Sequence, residues 1–289
     1  MELGANKPVI DAGACISCGA CTEACRMGCM VKGEDKRVTV DEGALCWGCG
    51  SCIRVCPTDA VSVSTIQDVG RTRSCATAEE VDAVKVTPAM TVAVLTSRFS
   101  CRKFKPTPPP LALLKDVCAL ASCAPSGAAC DSNLYTIVSS PEAAARISEW
   151  SFPPPPPMDA QKAAWKAAWF TGRTPGSTIN GAPACIIIST PPVCQIDPLV
   201  TGPWPLQDAS LASAHLQIAA SGLGLATCEM SRHAAFNKEM ALRAMYGIPE
   251  DHTVRCLISI GYSAERPIHR GVQRHPPHLN IVTAVPEQE

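Results

Sequence analysis

Charge is scarce in this chain: Asp, Glu, Lys and Arg make up 18% of its 289 residues, and the net charge is −1. With no basic excess, nothing points to nucleic acid or to a basic patch for a membrane surface. Long apolar runs are also missing. The longest clean one, residues 182–188, falls far short of the ~20 residues a membrane helix needs, so no membrane partner is expected. The opening Met1-Glu2-Leu3-Gly4-Ala5 has neither a basic stretch nor an apolar one, so no signal peptide is expected. Cysteine, by contrast, is plentiful at 18 residues. In a chain without an export signal, that number argues against a disulfide scaffold and for metal binding in a reducing, cytoplasmic setting.

The cysteines are unevenly spread. Nine lie in the first 56 residues and nine are scattered singly beyond, which marks off an N-terminal domain. Thr65 to Ala89 is polar and without clear periodicity and reads as a linker. The proline run Pro153 to Pro157 reads as extended polyproline or a loop interrupting a larger domain. The expected division is residues 1–66, a linker at 67–90, and a second domain at 91–289.

Cys15, Cys18, Cys21 and Cys25 follow C-x2-C-x2-C-x3-C, and Cys46, Cys49, Cys52 and Cys56 repeat it at an offset of 31 residues. Val9 then falls on Val40 and Gly19 on Gly50. Three thiolates on one tight turn can grip three irons of a [4Fe–4S] cube, while the fourth is carried off by the following helix. In two-cluster ferredoxins that fourth cysteine ligates the other cube. Two clusters are therefore expected, one on Cys15, Cys18, Cys21 and Cys56, the other on Cys46, Cys49, Cys52 and Cys25. Zinc sites fit poorly, because zinc pairs C-x2-C elements across a longer loop. Pro57 follows the second run where Arg26 follows the first, and Cys29 falls on Ala60, so a small buried residue is the expected role of Cys29. Lys7–Asp11, Arg37–Asp41 and Ala60–Ser64 read as short strands.

Beyond Thr91 the chain turns to Ala- and Leu-rich helical patterns at Leu111–Ala121 and Ala209–Ala220. Ala184–Ser189 reads as a buried strand, with others at Tyr135–Val138 and from near Val254 to Gly261. Helices around a sheet give an α+β or α/β domain large enough for its own core. Arg98, Ser100, Arg102 and Lys103 gather guanidinium forks and a hydroxyl suited to a phosphate monoester, though a solvated basic turn looks the same in isolation. Gly222-Leu223-Gly224 follows a helix instead of a strand, so it reads as a helix end and not as a dinucleotide fingerprint. His275-Pro276-Pro277-His278 reads as a surface tail. Trp165, Trp169 and Phe170 read as core, or as a lid over a site.

Taken together, Arg98-Phe99-Ser100-Cys101-Arg102, Pro125-Ser126-Gly127, Gly222-Leu223-Gly224 and the N-terminal cysteine runs resemble the FMN-dependent nitroreductase family, in the branch fused to a two-cluster ferredoxin. The resemblance implies a bacterial-type ferredoxin domain followed by a three-layer domain with a central mixed sheet, α+β overall. It implies an FMN phosphate held by Arg98, Ser100 and Arg102, with Phe99 replacing a second basic residue and Arg274 reaching in late. Pro125, Ser126 and Gly127 would lie beside the flavin ring, as would the backbone at Gly222, Gly224 and Leu225. Ala129 stands where the family has Asn, and Asn133 substitutes if the loop register shifts. A homodimer follows from the same resemblance.

No Ser-His-Asp set, paired carboxylate or nucleophilic cysteine stands out, so the chemistry is expected of cofactors. Cubes pass single electrons and FMN stores two, which suits conversion of a one-electron donor to two-electron reduction. The expected acceptor is a nitroaromatic or quinone, and the donor ferredoxin or NAD(P)H. A redox carrier or flavin-binding module without a substrate of its own is the competing reading.

Overall fold

The computed structural model describes residues 7–64, 76–127, 132–148, 179–193, 204–230 and 239–265. Ala129, the Pro153–Pro157 run, Trp165, Trp169, Phe170, Arg274 and the His275–His278 stretch lie outside them.

The cysteine-rich segment is a two-fold repeat in space as in sequence. Strand β1 (Pro8–Ile10) pairs antiparallel with β4 (Val61–Val63), and β2 (Met30–Lys32) with β3 (Val38–Val40). Between them sit two short helices, α1 (Ala20–Ala24) and α2 (Ser51–Arg54). Each is entered through a glycine in the left-handed region, Gly19 at φ 87° and Gly50 at φ 71°, a conformation that a Cβ would strain. Three of the strands match the sequence expectation. Strand β2 does not announce itself in sequence and exists through its pairing with β3. The core here is small, Cys21, Met30, Val38, Cys52 and Val61, and too few apolar groups meet to hold three-residue strands unaided.

The expected linker is partly structured. Thr77 and Glu80 form a reciprocal capping box that starts α3 (Ala78–Asp82), and Thr87 caps α4 (Pro88–Ser97), with proline in its first turn.

The larger sheet has strand order β5-β6-β8-β7, from β5 (Leu134–Val138), β6 (Ala184–Thr190), β7 (Ala226–Met230) and β8 (Thr253–Gly261). Strand β6 is buried along its whole length, as an apolar run covered on both faces must be. Its residues divide by alternation. Ile186 and Ile188 meet Leu114 and Val117 of α5 (Leu111–Ala121) and Leu216 of α7 (Trp204–Gly222). On the opposite face Ile187 meets Ile147 of α6 (Pro141–Ser148) and Leu242 of α8 (Glu239–Tyr246). The result is the expected three layers, helices on a sheet on helices. Each such isoleucine contributes about 1.5–3 kcal/mol by burial. Both senses of pairing occur at this sheet among the described residues. All of its described strand pairs run antiparallel. Among the described residues parallel pairing enters where Ser100 bridges Thr227, the chain leaving α4 meeting the edge of β7 there.

Candidate functional site

The thiols sort into two groups. One cavity is lined by Cys15, Cys18, Cys21 and Cys56, with Ile10, Val38 and Val61 closing it, and by none of Cys25, Cys46, Cys49 or Cys52. Cys56 thus stands with the first motif although the second motif carries it. Burial raises the Cys21 thiol, and Cys15, Cys18 and Cys56 add to the rise. Burial likewise pushes Cys52 up to about 11, helped by Cys49 and Cys46. Cys29, pushed to about 12 chiefly by burial, lies against both Cys25 and Cys46, so Cys25 adjoins the second group.

The cysteines that end each motif both accept backbone hydrogen bonds. The backbone N–H of Cys29 donates to Cys25 Sγ at 3.2 Å, and that of Ala60 to Cys56 Sγ at 3.2 Å. Burial acts to raise both thiols, yet the surrounding hydrogen bonds leave both below the usual thiol range. All of these cysteines are free thiols. Among the described residues no group of three or more His, Cys, Asp or Glu side chains is placed to hold a single metal ion. A cube takes one thiolate per iron at its corners, and a sulfur-lined cavity with apolar walls and N–H donors fits that demand.

The basic run sits at one end of the larger sheet. Arg98 caps the end of α4, and Ser97 Oγ meets Ser221 Oγ of α7 at 2.8 Å. The Cys101 N–H donates to Thr227 O at 2.9 Å, and its side chain is fully buried. Arg98 and Arg102 are exposed, and neither pairs with a carboxylate side chain among the described residues. Arg102 Nη1 instead turns back to Ser100 O at 3.1 Å. Helix α7 closes with Gly224 at φ 77°, the Leu225 N–H donating to Ala220 O at 2.8 Å and the Gly224 N–H to Ser221 O at 3.2 Å. This is a Schellman end, as expected for Gly222-Leu223-Gly224. Arg98, Phe99, Ser100, Arg102, Gly222, Gly224 and Leu225 are therefore brought together.

Pro125, Ser126 and Gly127 are not among them. The Gly127 N–H donates to Asp208 Oδ1 at 2.8 Å, and Asp208 lies about 21 Å along α7 from Gly222 at 1.5 Å per residue. Asn133 also belongs to that far end, since β5 begins where Leu134 pairs Ser189 and Ser189 pairs Val254. Its Oδ1 and the Ser132 Oγ are buried without a hydrogen-bond partner among the described residues. An orphaned acceptor of this kind costs about 1–3 kcal/mol until a donor reaches it, which suits a polar ligand contact.

Two further residues shape this loop. Asp208 is 4% exposed, its carboxyl raised by burial against the pull of the Gly127 N–H. Trp204 lies so close that a Cβ at Gly127 would stand 2.3 Å from its Cε3. The sequence signal for Asp208 is a lone carboxylate in an otherwise uncharged helix. Gly127→Ala is expected to push the loop off Asp208 and Trp204. A loss of about 1–3 kcal/mol in urea melts, the usual overpacking cost, checks this.

A family model for the nitroreductase family matches residues 95–262, more than half of the chain. The chain belongs to the nitroreductase family. It carries the oxidoreductase class with that membership, and a 4Fe-4S dicluster domain model matches residues 14–60 of the same chain. Among solved structures, an FMN-bound nitroreductase from Bacteroides fragilis is 21% identical, with a TM-score of 0.51 over 68% of this chain and 100% of that one. It shares the fold. An FMN-bound nitroreductase from Desulfitobacterium hafniense is 22% identical over 68% of this chain and 97% of its own, at a TM-score of 0.47. No curated protein matches. Among the described residues no helix of this nitroreductase-family chain is long and apolar enough to cross a membrane.

Proposed function

We propose that this chain is an iron–sulfur flavoprotein that carries electrons from two [4Fe–4S] clusters to FMN and on to a nitro compound or quinone. The observation that carries the reading is a cavity lined by the four thiols of Cys15, Cys18, Cys21 and Cys56 on the same chain as a nitroreductase fold. Clusters supply single electrons and the flavin gathers two.

The chain's own residues set where this happens. Arg98, Ser100 and Arg102 hold the FMN phosphate as forked donors whose guanidinium groups make no ion pair among the described residues. The Glu265 carboxylate accepts the Arg102 backbone N–H at 3.1 Å. Phe99 lies between Arg98 and Ser100 in the chain, and Arg274 is assigned to the same phosphate. The backbone at Gly222 and Gly224 is open to a flat ring, with the buried Leu225 behind it. Pro125, Ser126, Gly127 and Asn133 stand too far along α7 to complete that site within one chain, so a second copy supplies them. Helix α4 supports the homodimer. It has no charged residue, and Met90, Val92, Val94 and Leu95 are exposed, Val92 by 61% and Leu95 by 57%. A helix apolar all round is one that needs covering.

Introducing charge with Val92→Glu and Leu95→Glu is expected to give monomers by light scattering and to lower bound flavin. A wild-type chain that is already monomeric sinks the shared site. The many free thiols suit a reducing compartment, which we take to be the cytoplasm.

The activity is tested by anaerobic steady-state turnover of a nitroaromatic with reduced ferredoxin or with NAD(P)H. Many turnovers per chain are expected with the one-electron donor. A single stoichiometric reoxidation would mean a redox carrier without a substrate of its own.

A further inference from the structure

A cation is tied to the turn of the first cysteine motif, and the repeat puts a valine in its place at the second. Strand β2 ends at Lys32, which stands opposite Val38 in the ladder with β3. Val38 helps close the cavity of Cys15, Cys18, Cys21 and Cys56, and residues opposite each other in an antiparallel pair share a face. Lys32 is thus carried to the rim of that cavity. Its Nζ donates to Ser17 O at 2.9 Å and lies 3.4 Å from where a Cβ on Gly19 would stand. Ser17 and Gly19 flank Cys18 and line the same cavity. Ser17 holds its turn at φ 56°, the left-handed region that its counterpart Gly48 takes at φ 69° and that a Cβ strains. The counterpart of Lys32, 31 residues on, is Val63, which is buried and uncharged.

Resting on the cluster reading above, we propose that Lys32, anchored on the Ser17 carbonyl, raises the reduction potential of the cube held by Cys15, Cys18, Cys21 and Cys56. Reduction by one electron adds one negative charge at the cavity. A cation held close stabilises the more negative form, and local charge is one of the known determinants of cluster potential. The anchor matters as much as the charge. A free lysine spreads its ammonium over many rotamers, whereas the bond to Ser17 O keeps it beside the ligand turn. Val63, at the equivalent place, brings no charge to the second cube. Two repeated sites therefore differ in how readily each accepts an electron, and Lys32 marks the first as the readier one.

The test is an EPR-monitored redox titration of the full chain, made anaerobically, as wild type, Lys32→Gln and Lys32→Arg, at low and high salt. Lys32→Gln should keep all its iron and move the higher of two potentials to a more negative value while the other stays. Lys32→Arg should behave as wild type, since it keeps the charge. High salt should lower the same potential in wild type more than in Lys32→Gln, because an exposed ammonium is screened. Added to Cys25→Ser, which spares the first cube, Lys32→Gln should shift the remaining potential in the same direction. The proposal is overturned if Lys32→Gln moves neither potential or both equally, if Lys32→Arg shifts as far as Lys32→Gln, or if the cube left by Cys25→Ser is insensitive to Lys32→Gln. Loss of half the iron in Lys32→Gln also overturns it, by making Lys32 a support of the turn alone. A wild-type chain without iron would sink the cluster reading itself, a distinct result from any of these.

Discussion

Cys56→Ser is expected to remove the cube of the first motif and to spare that of the second, lowering iron from about eight to about four per chain. The expectation runs against the order of the sequence, where Cys56 closes the second run. It follows from the cavity that Cys56 shares with Cys15, Cys18 and Cys21, and from the charge coupling between Cys21 and Cys56. A serine oxygen is a poor substitute for a soft thiolate on iron, and the apolar walls of Ile10, Val38 and Val61 offer no replacement ligand. Cys25→Ser should do the reverse, striking the cube of Cys46, Cys49 and Cys52. Because each motif's other three cysteines stay in place, EPR of the surviving cube tells the two variants apart. If Cys56→Ser instead spares the first motif's cube, the crossed assignment is wrong.

The double change Arg98→Ala, Arg102→Ala is expected to strip the flavin. Each guanidinium offers a charge-assisted hydrogen bond worth about 1.5–3 kcal/mol. Losing both weakens binding by about two to four powers of ten, at 1.4 kcal/mol per tenfold. The fold should not suffer, because both side chains are exposed and neither is tied to a carboxylate side chain among the described residues. Equilibrium titration with FMN, beside a thermal melt, separates the two effects. Unchanged flavin content with an intact melt would place the phosphate elsewhere.

The sequence was most informative where local chemistry alone decides structure. Leu111–Ala121 was legible to the residue because its apolar positions recur with helical spacing, and β6 because an unbroken apolar run must be covered on both faces. The repeated spacing of the eight cysteines was legible from the motif alone, and the structure adds the cavity that Cys56 shares with Cys15, Cys18 and Cys21. Helix α7 begins at Trp204, before the periodic stretch at Ala209, since Pro205 and the buried Asp208 break the pattern that marks it. Helices α3 and α4 hid inside an apparent linker for opposite reasons. The first is a short polar turn set by the Thr77–Glu80 cap, and the second is apolar on every side, so neither shows an amphipathic period. The separation of the basic run from the Pro125–Gly127 loop was not legible at all. Motif order places them one helix apart, whereas the length of α7 puts them at opposite ends of the domain.

Anaerobic purification of the full chain, with iron, sulfide and flavin quantified per chain, tests the central claim most directly. About eight irons, a matching amount of sulfide and FMN bound to the same chain are expected from the paired C-x2-C-x2-C-x3-C runs and the nitroreductase domain. Stoichiometric zinc without sulfide, or a chain that holds iron but binds no flavin, would contradict it.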